Sequence, residues 1–581
     1  MSARTIPVLG FIAASTLAWD LAVASESPPA CPRPDAGIEV PQPVDLRSHE
    51  GVLALDLTVR NEKLANGRVR YCYLSAEGAQ APTLRVRPGD ELVLHLKNAL
   101  TELDAGSNPR PQTHEHSHAH PPVSASADPC TSGIMSATSA NLHFHGMTVP
   151  SVCHQDEVLR TSIQPTDPPF EYRFRIPADE PPGLYWYHPH IHGFSSRQVQ
   201  GGASGALVVE GLERANPDVA GLPERVLVIR DQDLENPDAP PSAAEPATQV
   251  LLDRDGDAAN TGTGAGKPAK DLTVNFVPVP YPDYPRPTIH LKPGERQLWR
   301  VLNASSVTYL DLAVLYQRGA AFRPQWIGVV AVDGVPVNGE RKPGHSTQWR
   351  NSMVVPPGGR LEFILIGPPD GVPGMLVTRW VNTGEGGEND PNRALVSIVA
   401  AADAPEPPLA IAAASAATAA PVPSGDSWLG HTTPVRVRKL YFSEDAVDPA
   451  HPNNPQHFYL TVDGQTPAAF NPSQTQPNII AKQGEVEDWI IENRSTEVHA
   501  FHIHQIHFQV VDWLGVAVNE PFLRDTVAIP FYNPAMKSYP SVRLRMDFRD
   551  PNSVGTFVYH CHLLDHEDGG MMGLIRVDPA H

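Results

Sequence analysis

Three copies of one pattern constrain the fold of this 581-residue chain more than any other feature: PTLRVRPGDELVLHLKN from Pro82, PTIHLKPGERQLWRVLN from Pro287 and PNIIAKQGEVEDWIIEN from Pro477. Each has a glycine seven residues on (Gly89, Gly294, Gly484) and an asparagine sixteen on (Asn98, Asn303, Asn493). Each reads as a strand, a glycine turn and a second alternating strand, and a unit recurring in this way implies homologous domains. The 62 prolines and 43 glycines suit short strands joined by turns better than long helices. An all-β chain of three consecutive β-sandwich domains is expected, over residues 45–212, 222–402 and 429–581, with an Ala/Pro-rich linker at 403–428.

Metal chemistry concentrates in YHCHLLDHEDGGMMG, from Tyr559 to Gly573. Side chains alternate faces along a strand, so Cys561 points one way and His560 and His562 the other, and one strand end can touch two metal centres. A thiolate, two imidazoles and a weak thioether are the ligands of a blue electron-transfer copper, and Cys561, His566 and Met571 supply three of them. The fourth comes from HAFHIH: His502 and His504 share one face, which leaves His499 on the other, free to join Cys561. Two further pairs, His143 with His145 in NLHFHG and His188 with His190 in YWYHPHIHG, raise the imidazoles available to a second centre to eight. Three clustered coppers need that number.

With these motifs in this order, the chain resembles the multicopper oxidases, the family of laccases, bilirubin oxidases, ascorbate oxidase and bacterial cuprous oxidases. The resemblance implies that the three sandwiches are cupredoxin-like Greek keys, and that the cofactors are four copper ions, one mononuclear and three clustered. It assigns His143 and His502 to the lone copper of the cluster, and His145, His188 and His562 with His190, His504 and His560 to the coupled pair. It also selects Met571 over Met572 as the axial donor. The implied reaction draws single electrons from a small donor at the mononuclear copper and reduces dioxygen to water at the cluster. Glu567 and Asp156 stand where the family places proton-relay acids, although Cys153 and His154 intrude beside Asp156 in CHQDEV. Asp525 in RDTV is a candidate to orient His499 or a substrate, or to cap a turn; His192 and His507 flank ligands and read as supporting groups.

The middle repeat runs into VLNASSVTYLDLAV and later TRWVNTG, with no histidine pair. The second domain therefore reads as a spacer without copper ligands, and the eight-histidine cluster is expected across the interface of the first and third.

A formal charge of −21 argues against nucleic acid or an anionic membrane surface as partner. Arg4, an apolar run from Pro7 to Trp19 and Ala22-Val23-Ala24 predict a secretory signal over residues 1–24, hence a periplasmic or secreted protein that keeps no membrane span, and a monomer is expected. Of five cysteines, Cys561 is reserved for copper and four remain to pair. Cys31 with Cys72 and Cys130 with Cys153 close the shortest loops, and the other pairings stay open. An insertion carries THEHSHAHPP, with His114, His116, His118 and His120, either a solvated loop or a copper-capture loop. Three functions compete: a laccase-like oxidase of phenols and aromatic amines, an oxidase of Cu(I) or another metal ion, and a non-enzymatic copper-binding scaffold. Only nine methionines are present, none clustered beyond Met571 and Met572, which favours organic donors over Cu(I).

Overall fold

The computed structural model describes residues 30–103, 128–133, 135–240, 252, 257–337, 347–405, 407, 428–445 and 457–580. The signal stretch, the histidine-rich insertion at 113–120 and most of the 403–428 linker lie outside them. Six sheets pair into three sandwiches. In the first, a five-stranded sheet ordered Asp45–Arg47, Thr83–Val86, Gly205–Val209, Gly183–His188, His143–His145 packs on a four-stranded one containing Val52–Lys63 and Glu91–Asn98. The third sets Ile479–Lys482, Met572–Asp578, Gly555–Cys561, His499–Ile503 and Thr526–Ile529 against a six-stranded sheet containing Val486–Asn493 and Ser541–Asp547. The middle pair has eight and six strands, between Glu224 and Ala400. Each sandwich encloses its own apolar cluster, around Tyr73, Leu94 and Phe144 in the first, Trp299, Leu312 and Phe363 in the second, and Trp489, Phe501 and Leu544 in the third.

The repeat marks the corner of each sandwich. Its two strands do not pair with one another. Thr83–Val86 and Glu91–Asn98, Thr288–Leu291 and Arg296–Asn303, Ile479–Lys482 and Val486–Asn493 lie in opposite sheets in every copy. The turn glycines adopt φ of +88°, +70° and +89° at Gly89, Gly294 and Gly484, a left-handed conformation that glycine reaches without steric cost. The asparagines do equivalent work at the far end. Asn98 donates to the carbonyls of Thr138 and Ile163 and accepts from Leu100 N–H. Asn303 does the same with Thr308, Val355 and Ser305, and Asn493 with Glu497, Ile529 and Ser495. An amide has both donors and an acceptor, so one buried side chain satisfies three backbone groups at the loop that leads toward the histidines.

Disulfides join Cys31 to Cys72 and Cys130 to Cys153, and Cys561 is a free, buried thiol. The first and third sandwiches meet where Ser195–Gln200 packs on the short helix Leu564–Asp568. Asp568 accepts the N–H groups of Ser195 and Ser196 at 3.1 and 2.9 Å there. No helix of the described residues is long and apolar enough to cross a membrane.

Candidate metal centres

The strand Gly555–Cys561 lies beside His499–Ile503, with Phe501 opposite Cys561 and His502 opposite His560. That register puts Cys561 and His499 on one face and the remaining histidines on the other. Cys561 Sγ is 3.6 Å from His499 Nδ1 and 3.8 Å from His566 Nδ1, and the two nitrogens are 3.2 Å apart. All three residues are buried, and burial pushes the Cys561 thiol pKa up, so a bound cation is what would favour its thiolate. Met571 shares the apolar cluster of Cys561, and its backbone brackets the site: its carbonyl accepts from Cys561 N–H at 3.0 Å and its N–H donates to His566 O at 2.9 Å. Met572 pairs across from His560 and packs separately with Val158, Val558 and Leu574. The rear nitrogens meet groups that sequence reasoning did not single out. His499 Nε2 is 2.6 Å from Ser495 Oγ and 3.1 Å from Glu444 Oε1, while His566 Nε2 is 3.6 Å from Glu497 Oε1.

On the opposite face, eight imidazoles from four strand ends converge between the first and third sandwiches, every one of them buried. His143 stacks on His504 at 3.8 Å and His145 on His502 at 3.9 Å, each pair spanning the two sandwiches. His190, His504 and His560 lie together, with His504 Nε2 facing His560 Nε2 at 3.3 Å, and the rings of His145, His188 and His562 are mutual neighbours. Hydrogen bonds on one ring nitrogen leave the other aimed inward: His188 Nδ1 meets Pro189 O at 2.9 Å, His502 Nδ1 meets Asp525 O at 2.8 Å, and His145 Nε2 meets Asp525 Oδ1 at 3.1 Å. Among the described residues, His143 Nε2, His145 Nδ1, His188 Nε2, His190 Nε2 and His502 Nε2 have no hydrogen-bond partner. Burial, reinforced by neighbouring imidazoles, lowers the pKa values of His145, His188, His190, His502, His504 and His562, which keeps these rings in the neutral form that ligates metal. Buried orphan nitrogens on neutral imidazoles are a donor set suited to copper ions.

Carboxylates stand behind these rings. Asp156 contacts His143 Nδ1 at 3.0 Å and accepts from Phe144 N–H and Gln505 Nε2. Glu567 Oε2 is 3.3 Å from His560 Nδ1 and Oε1 is 3.6 Å from His190 Nε2; burial, then Asp568, holds its carboxyl well above the usual range. Asp525 does not face His499, because Thr526–Ile529 pairs antiparallel with His499–Ile503, with Ile529 opposite His499 and Thr526 opposite His502, which leaves Asp525 at the His502 end. It bonds His145 and lies 3.7 Å from His502 Nδ1 and from His507 Nε2.

The middle sandwich does more than separate its neighbours. Its buried Arg360 forks onto Asp525, Nη1 to Oδ1 at 2.8 Å and Nη2 to Oδ2 at 2.5 Å, and also donates to the carbonyls of Leu184 and Gly358. This pair explains the glycine of HFHG: a Cβ on Gly146, at φ +85°, would collide with Arg360 Nη2 and lie 2.6 Å from Asp525 Oδ2. A Cβ on Gly358 would lie 2.8 Å from His562 Nε2. The only sequence sign of Arg360 is that it is one of two charges, with Glu362, in the largely apolar strand Arg360–Ile366.

Beside this pair, Glu180 is buried next to Tyr185 and accepts Thr148 N–H at 3.2 Å. Burial raises its pKa from 4.5 to about 8, against the opposing hydrogen bonds. The folded protein thus holds a proton that the unfolded chain has released, so Glu180 costs stability as pH rises from about 4.5 to about 8, by up to about 1.4 kcal/mol per pH unit. Glu180→Gln is expected to flatten that decline. Denaturant midpoints of both proteins across this range, with equal slopes in pH, would contradict it.

The multicopper oxidase family models match residues 135–214 and 449–581. A multicopper oxidase of Staphylococcus aureus is 31% identical over 122 residues, 20% of this chain and 24% of that protein, so the match spans about a quarter of the relative's length. The McoA multicopper oxidase of Aquifex aeolicus superposes with a TM-score of 0.62 at 17% identity, covering 94% of this chain and all of that one. A Campylobacter jejuni multicopper oxidase described as a metallo-oxidase does so with a TM-score of 0.60 at 21% identity, covering 94% and 96%.

Proposed function

Since the chain belongs to the multicopper oxidase family, we propose that it couples one-electron oxidation of phenols or aromatic amines to reduction of dioxygen to two waters. The observation that carries this reading is Cys561 flanked by His560 and His562 on one buried strand end, which joins the sulfur site to the imidazole cluster through a single covalent path. His499, Cys561, His566 and Met571 would hold one copper, and His143, His145, His188, His190, His502, His504, His560 and His562 three more. Copper bound there would pass single electrons inward and deliver four together to dioxygen, so that partly reduced oxygen is not released.

The chain's own residues orient and supply. Asp156 fixes His143 through Nδ1, and Asp525, clamped by Arg360, fixes His145 through Nε2. Glu567, whose carboxyl pKa burial raises, lies between His560 and His190, where it would pass a proton toward the cluster. The apolar cluster around Met571 and Cys561 excludes water from the sulfur. The domains at 45–212 and 429–581 carry these ligands, and we place the protein outside the cytoplasm as a monomer.

Glu444 and Glu497 favour a second reading, oxidation of a metal ion. Two buried carboxylates at the rear nitrogens of His499 and His566 suit a cation docking beside the electron entrance, and the Campylobacter relative is described as a metallo-oxidase. Oxygen uptake on a phenol panel and on Cu(I) or Fe(II) separates the two. Phenol oxidation without added copper is expected, and a preparation inert on phenols but active on a metal ion would replace the first reading with the second.

A further inference from the structure

We infer that Tyr309, from the sandwich that supplies no ligand motif, is a positioning residue for the mononuclear centre, acting through the strand that carries His499. Its hydroxyl donates to Val498 O at 3.2 Å, one residue before His499. Tyr309 and Val307 are buried inside the apolar cluster of the third sandwich, with Cys561 and Met571. This inference rests on the reading of Cys561 as a copper ligand.

The segment involved follows Asn303, the repeat position whose third copy leads to the histidines. In the middle copy it is rigidly held. Asp231 accepts the N–H groups of Ser306, Val307 and Thr308 at 2.8, 2.9 and 3.2 Å. Asp390 accepts Tyr309 N–H at 2.9 Å, and Asn303 ties down Thr308 O. The same sandwich holds both sides of the centre. Ser306 O accepts Leu564 N–H at 2.9 Å, two residues before His566, and Thr383 O accepts Val498 N–H at 2.8 Å. Burial, then the nearby Cys561 sulfur, raises the pKa of the Tyr309 hydroxyl, which places the two groups in each other's field. Where the other copies donate ligands, the middle copy fixes ligand geometry.

Copper(I) tolerates loss of a ligand better than copper(II), so a site whose His499 strand is loosened favours the reduced ion. Tyr309→Phe keeps the ring and deletes the hydroxyl. The expected result is a higher midpoint potential and a weaker blue absorption, with copper content unchanged. Tyr316→Phe is the control: it removes a half-buried hydroxyl-to-carbonyl bond, onto Ile366 O, from a core tyrosine of the same sandwich. It should lower the unfolding temperature without moving the potential. If Tyr309→Phe does not fold, Asp390→Ala removes the acceptor of Tyr309 N–H and so displaces Tyr309, and the same shift is expected. Equal potentials in the Tyr309 variant and the parent, or equal shifts in both tyrosine variants, overturn the proposal. A parent protein that binds copper with no thiolate absorption instead overturns the reading of the centre, and the proposal with it.

Discussion

Replacing Cys561 with serine is expected to abolish the blue absorption and reduce oxygen uptake on any donor to background, while about three of four coppers remain bound. A hydroxyl is a poor copper ligand at neutral pH, so the charge transfer that colours the site vanishes with the sulfur. The loss of turnover has a separate cause, because Cys561 is also the shared segment between His560 and His562 and so the shortest connection between the two centres. The eight imidazoles do not depend on the sulfur for their positions: His502 pairs in register with His560, and His143 with His188. The domain should fold, since Ser is smaller and the neighbouring Phe501, Tyr559 and Met571 keep the cluster closed. Copper analysis, visible absorption and oxygen consumption on one preparation check all three statements. Blue colour surviving in the serine variant would mean that another thiolate or another centre is responsible.

The sequence made the ligands legible because they obey strand parity, which is local. The period of two placed His499 with Cys561, and the remaining histidines opposite, without tertiary information. Three repeats made the sandwiches legible for a similar reason, although not the sheet switch at each glycine corner, which depends on how the sheets face one another. What stayed hidden is long-range. Arg360 sits 165 positions from Asp525, and Tyr309 189 positions from Val498, in a sandwich whose sequence carries no metal motif. Glu444 and Glu497 look like ordinary strand-end and loop carboxylates. Asp525 was visible as a candidate but not its partner, since its place just before the strand Thr526–Ile529 does not say which end of the histidine strand it reaches.

Arg360→Met is the counterpart to the serine variant: the blue centre should survive and the cluster should fail. Arg360 and Asp525 are both fully buried, and removing one partner leaves a desolvated carboxylate, at a cost of about 3–5 kcal/mol. Arg360 also loses its bonds to Leu184 O and Gly358 O, and Gly358 lies against His562. With the clamp gone, Asp525 can rotate away from His145 Nε2 and Thr526 Oγ1, and the ring that would present Nδ1 to copper loses its fixed orientation. Arg360→Lys should fall between, because an ammonium keeps the charge but cannot form two parallel bonds. Adding Asp525→Asn to Arg360→Met should recover part of the stability, as the unpaired charge disappears, without restoring copper to the cluster. Denaturant midpoints with copper content measure the two effects separately. If Arg360→Met retained both the parent's stability and its full copper content, the ion pair would have no hold on the cluster, and Gly146 would need another explanation than the guanidinium lying across it.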